Sequence, residues 1–119
     1  MPILRSVTAV QSAWDARLAT SPVAVLYKHS PTCGLSSMAL DEVEAFSAQH
    51  PDVPVYLVDV LAQRPLSNAI EATLGIRHES PQAFVFRQGT VVWHGSHRRV
   101  QRAALIEQVA QAESATGAP

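Results

Sequence analysis

The short apolar run Val23-Ala24-Val25-Leu26-Tyr27 is the feature that most restricts the fold. Ser21-Pro22 bounds it on one side and His29-Ser30-Pro31-Thr32 on the other. It is too short for a buried helix, and it lacks the alternation of a half-exposed strand. That pattern suits a central strand covered on both faces. Such a strand needs helices on either side of it. The next segment predicts one, beginning near Cys33. Leu35, Met38, Ala39, Val43 and Phe46 recur at helical spacing, while Asp41, Glu42 and Glu44 fall off the stripe. His50-Pro51-Asp52 stops it.

The same reading extends along the chain. Thr8 to about Ala19 predicts an N-terminal helix, with Val10, Ala13, Trp14 and Leu18 on one face and Thr8 as the cap. Val53 to Val58 reads as a strand with Pro54 near its beginning, where a missing N–H is tolerated. Pro65 opens a third helix, with Leu66, Ala69, Ile70, Thr73 and Leu74 inward and Gly75 as its C-cap. Ala83–Phe86 and Thr90–Trp93, joined by Arg87-Gln88-Gly89, predict a hairpin. A last helix spans about Val100 to Ala112, with Ala103, Ile106, Val109 and Ala110 inward. A helical crossover makes the first two strands parallel, and the hairpin is antiparallel. The expected fold is α/β, a mixed four-stranded sheet flanked by helices, with a helix before the first strand. Residues 1–113 read as a single domain and 114–119 as a flexible tail.

Composition narrows the function. The chain has 119 residues, 47% of them hydrophobic, and a formal net charge of -1, which suits one globular core. Acidic and basic residues are interspersed, and Arg98, Arg99 and Arg102 form too small a cluster for a phosphate footprint, so nucleic acid is not an expected partner. No apolar stretch reaches membrane-spanning length, and the N-terminus lacks the layout of a signal peptide. The one cysteine cannot form an intramolecular disulfide, which points to a reducing, cytoplasmic location.

An unpaired cysteine is ordinarily among the most buried of residues. Cys33, however, sits among Thr32, Gly34, Ser36 and Ser37, where a short loop ends and a helix starts. Free amides and the helix dipole favour a thiolate there, so Cys33 reads as a reactive nucleophile. Lys28 and His29 are close enough in sequence to tune it, and the hydroxyl or amide of Ser36 to donate to its sulfur. His78, His94 and His97 read as exposed or hydrogen-bonded rather than as metal ligands, since no cysteine or acidic ligand lies beside His94 and His97 in sequence. Trp14 and Trp93 read as packing residues, and Arg77 as a surface residue.

The segment Gly75-Ile76-Arg77 through Pro81, then Val85-Phe86 and Gly89-Thr90-Val91, resembles the thioredoxin stretch that carries the cis-proline, with one extra residue between Gly75 and Pro81. A closer likeness lies in Tyr27-Lys28-His29-Ser30, Thr32-Cys33, Ser36, Met38-Ala39-Leu40, Val58-Asp59, Leu66-Ser67-Asn68-Ala69-Ile70, His78-Glu79-Ser80-Pro81-Gln82 and Val91-Val92-Trp93-His94-Gly95-Ser96-His97. In these motifs the chain resembles the YtxJ family, monothiol bacilliredoxins with a thioredoxin-like fold. The resemblance implies that Cys33 takes bacillithiol from a mixed disulfide on a client protein; Thr32, Gly34, Ser36 and His29, close to it in sequence, are the expected supporting residues. It also implies that Pro81 is cis and that the Ser80 backbone faces Cys33 and pairs with the substrate. The expected partners are S-thiolated clients, the small thiol as co-substrate, and a disulfide reductase system, with no bound cofactor. The family commonly has proline after the cysteine, where this chain has Gly34. Cys33-Gly34-Leu35-Ser36 therefore also resembles the Cys-Gly-Phe-Ser motif of monothiol glutaredoxins, which leaves iron–sulfur cluster carriage open. A redox-inactive adaptor on the same fold is the third reading.

Overall fold

The computed structural model describes residues 4–6, 22–32 and 34–117. Its elements are β1 (Leu4–Ser6), β2 (Val23–His29), α1 (Gly34–Gln49), β3 (Val55–Asp59), α2 (Arg64–Leu74), β4 (Gln82–Arg87), β5 (Thr90–Ser96), a 3-10 turn (His97–Arg99) and α3 (Arg102–Gly117). The four expected strands are all present in a mixed sheet, and β1 adds a short fifth strand at its edge, in the order β1-β3-β2-β4-β5. β2 runs parallel to β3 and antiparallel to β4, while β1 runs parallel to β3. Three residues carry too little periodicity to announce a strand, which is why β1 was not expected from sequence. The helix expected over Thr8–Ala19 lies outside the described residues.

β2 is central, and its side chains alternate between two cores. Val23, Val25 and Tyr27 pack with Val43 and Phe46 of α1 and Leu105 and Val109 of α3. Ala24 and Leu26 pack on the opposite face with Leu66 and Ile70 of α2 and with Phe84 and Phe86 of β4. Helices thus cover both faces, as the uninterrupted apolar run demanded. α2 has proline in its first turn and ends at Gly75, whose φ of 67° is left-handed. β4 and β5 turn through Gln88 and Gly89, both at positive φ, the backbone that matches strand twist in a two-residue hairpin. A bulge opposite Val85 and Phe86 leaves Val92 unpaired and exposed.

Several inward positions differ from expectation. Met38 is 66% exposed, because it lines an open groove, while Ser36 and Ala39 on the same stretch of α1 are buried. On α2, Ser67 is buried where Ala69 and Thr73 were expected, and the latter two face outward. On α3 the buried positions are Leu105, Val109 and Ala112, while Ala103 and Ala110 are exposed. Alanine-rich helices carry a weak apolar stripe, so rotation about the axis is decided by the facing sheet. α3 also continues to Gly117, past the Ala112 at which the stripe ends. Among the described residues, no helix is long and apolar enough to cross a membrane.

Candidate active site at the start of α1

β2 ends at His29, the chain turns through Pro31 and Thr32, and α1 begins at Gly34. Cys33 itself lies outside the described residues. Both of its chain neighbours, Thr32 and Gly34, are exposed. A side chain built on Gly34 would meet nothing within 4 Å.

Ser36 ties this turn down. It is fully buried, and its Oγ accepts the Ser30 N–H at 3.2 Å. Its backbone oxygen accepts the Tyr27 hydroxyl at 2.9 Å. Ser36 therefore anchors the first turn of α1 to β2 through its carbonyl and to the loop after β2 through its hydroxyl. The role found for the Ser36 oxygen is thus acceptor from the loop backbone. The Thr32 and Ser30 hydroxyls lie 3.4 Å apart. His29 is half-buried, with Nδ1 3.2 Å from the Tyr27 hydroxyl. With the phenol proton on the Ser36 carbonyl, His29 donates from Nδ1 to Tyr27.

The Ser80–Pro81 peptide bond is cis, the conformation that the resemblance implies. The antiparallel register pairs Lys28 with Gln82, so Pro81, one residue further, lies level with His29. Ser80 and Pro81 therefore stand at the sheet end where the Ser30–Thr32 turn and the start of α1 stand. Pro81 is buried and Ser80 half-buried. The Pro81 carbonyl accepts the His97 N–H at 2.9 Å. The buried Gln82 braces the preceding loop, accepting from Glu79 N–H at 3.2 Å and donating to the Arg77 carbonyl at 3.0 Å. Ser96 Oγ donates to Glu79 at 3.2 Å.

Lys28 departs from its expected role. Its side chain is fully buried, on the α2 face of the sheet. Nζ donates to the Ser67 carbonyl at 3.3 Å and lies 3.2 Å from His78 Nδ1. Ser67 Oγ is 3.4 Å from the same nitrogen, and Glu71 accepts the His78 N–H at 2.8 Å. Burial pushes the Lys28 ammonium down to about 8 from an ordinary 10.5, and the Glu71 carboxylate opposes that shift. Burial, then the Lys28 charge, also hold His78 below its ordinary value. The available signal in the sequence was a lysine directly following an apolar strand run, at the parity that faces α2.

The remaining histidines do not converge. The His94 ring lies tilted 6.3 Å from that of Phe84, and His97 pairs with Glu79 at 3.5 Å with both side chains near half exposed. Among the described residues, no group of three or more histidine, cysteine or acidic side chains is placed to hold a metal ion. A groove of about 630 Å³ lies beside the start of α1, lined by Leu35, Met38, Asp41, His97, Arg98 and Val100 among others.

This geometry has known counterparts. A solved protein with a thioredoxin fold and a suggested oxidoreductase role is 30% identical, over 93% of this chain and 94% of that one, with a TM-score of 0.80. Spinach chloroplast thioredoxin f (short form) matches at 20% identity, over 93% and 94%, with a TM-score of 0.71. A mutant thioredoxin from Halobacterium salinarum matches at 20% identity, over 92% and 89%, with a TM-score of 0.71. The last two speak for the fold. Residues 4–105 match the monothiol bacilliredoxin BrxC family. That match spans most of the chain, and the helices-on-both-faces architecture and the cis-proline accord with it, so the chain belongs to the monothiol bacilliredoxin family of thioredoxin-fold oxidoreductases.

Proposed function

We propose that the protein removes bacillithiol from S-thiolated client proteins through Cys33. One observation carries the reading: the sole cysteine has two exposed chain neighbours and directly precedes a 16-residue helix. Amides at such a helix start stabilise an anion, so the thiolate is favoured over the thiol.

The thiolate attacks the bacillithiol sulfur of the client's mixed disulfide. A sulfur–sulfur bond forms between Cys33 and bacillithiol, the client bond breaks, and the client leaves as its thiolate. With Ser36 where a dithiol enzyme would carry its second cysteine, Cys33 ends as a mixed disulfide. A second bacillithiol thiolate, or a reductase system, then releases it. In this reading the Ser80 backbone pairs with the client strand, and the groove lined by Leu35 and Met38 receives the flanking client residues. The chemistry requires a reducing compartment, which makes the protein cytoplasmic. The domain of residues 1–113 carries all the parts that the reaction uses.

The test is dethiolation of a bacillithiol-modified client, followed by mass spectrometry. One bacillithiol adds per chain, on Cys33, and Cys33→Ser transfers none. Wild-type rates from Cys33→Ser would refute the mechanism.

A further inference from the structure

The reaction just proposed leaves one part-buried polar cluster unused. Lys28 of β2 reaches across to His78, in the segment that joins α2 to β4 and ends at Ser80 and Pro81. The contacts around this segment come from several elements: Lys28 from β2, Glu71 and Ser67 from α2, Gln82 from β4 and Ser96 from β5. We propose that the buried Lys28 and the half-buried His78 form a latch that positions the Ile76–Pro81 segment for client docking. The inference rests on the function proposed above, since it assigns that segment to client binding.

The chemistry of the pair sets the state in which the latch is closed. An ammonium has only donors, so His78 Nδ1 must accept, which puts the ring proton on Nε2 and leaves the ring neutral. A proton added to Nδ1 would replace this hydrogen bond with two cations 3.2 Å apart. The charges that face His78 are Lys28 from β2, Glu71 and Arg64 from α2, and Glu79 from its own segment. Burial and Lys28 outweigh the two carboxylates and keep the ring neutral to lower pH than usual. The latch is therefore closed at neutral pH and opens in acid. Lys28 and His78 are positioning residues, acting through the Ser80 and Pro81 backbone rather than on the sulfur.

The experiment measures KM and kcat for a bacillithiol-modified client peptide between pH 5.5 and 7.5, together with Cys33 alkylation by iodoacetamide, which needs no docked client. Lys28→Met and His78→Leu each remove a hydrogen bond of a charged donor, which raises KM roughly tenfold at pH 7 and leaves kcat within about threefold. His78→Asn offers a carbonyl oxygen near the place of Nδ1 and does not titrate. It restores KM at pH 7 and lacks the rise in KM that the wild type shows in acid. Alkylation stays within about twofold of wild type throughout. An unchanged KM in both Lys28→Met and His78→Leu, or an acid rise that persists in His78→Asn, overturns the latch. If the wild type turns over no client, the proposed function falls, and amide exchange of residues 76–79 decides the latch by itself. Exchange roughly tenfold faster in Lys28→Met supports it, and unchanged exchange refutes it.

Discussion

The stability of Lys28→Met relative to wild type should fall by about 2 kcal/mol between pH 7 and pH 9.5. The unfolded chain keeps the Lys28 proton up to an ordinary 10.5, whereas the folded protein gives it up at about 8. Between those values the unfolded state binds more protons, so stability rises with pH. At about 1.4 kcal/mol per unit, the charged lysine costs the fold about 3 kcal/mol at pH 7, and about 2 kcal/mol of that is recovered by pH 9.5. Methionine fills the same buried channel and carries no charge, so the variant lacks this dependence. It also loses the donors to Ser67 O and His78 Nδ1, a cost of roughly 1–3 kcal/mol that varies little with pH. The variant is then as stable as wild type or up to about 2 kcal/mol more stable at pH 7, and as stable or up to about 2 kcal/mol less stable at pH 9.5. Urea unfolding of both proteins at both pH values measures the gap, and ionisations common to the two cancel in it. A gap that stays constant within about 0.5 kcal/mol refutes the argument that burial depresses this amine.

Two further outcomes test the packing. Tyr27→Phe removes the donor to the buried Ser36 carbonyl, costs about 1–2 kcal/mol in urea unfolding, and speeds amide exchange at Ser30, whose N–H rests on Ser36 Oγ. Exchange at Ser30 equal to wild type would refute the idea that Ser36 couples β2 to α1. Gly95→Ala places a Cβ 2.8 Å from two Trp93 ring carbons and 3.1 Å from Arg99 Cβ. The half-buried ring must swing outward, at a cost of about 1–3 kcal/mol, and its emission shifts to the red in a Trp14→Phe background. Unchanged emission there would mean that the ring does not fill this space.

The strand–cysteine–helix unit was legible because each part obeys a local rule: an apolar run, a Pro-Thr turn and a helical stripe from Leu35 to Phe46. The hairpin was legible from Gly89, and the end of α2 from Gly75. Lys28 lies close to Cys33 along the chain, which by itself suggests that it tunes the thiol. Strand parity turns its side chain to the α2 face, where Ser67 and His78 receive it, and neither of those partners is near it in sequence. Ser67 is polar and carries no apolar signal, so its burial depends on what stands opposite. Met38 fits the apolar stripe, yet it lines the groove, while Ser36 and Ala39 beside it on α1 are buried.

The sequence alone determined the order and type of the main elements, the need for helices on both faces of β2, and the place of the single thiol at a helix start. These follow from periodicity and from backbone constraints that act over a few residues. Only the tertiary structure decided the strand order, the pairing of β1 with β3, the rotation of α2 and α3 about their axes, and the enclosure of Lys28 with His78. Those depend on contacts between residues far apart in the chain. Whether a long charged side chain reaches water or a buried acceptor is set by what packs over it, and no local pattern records that.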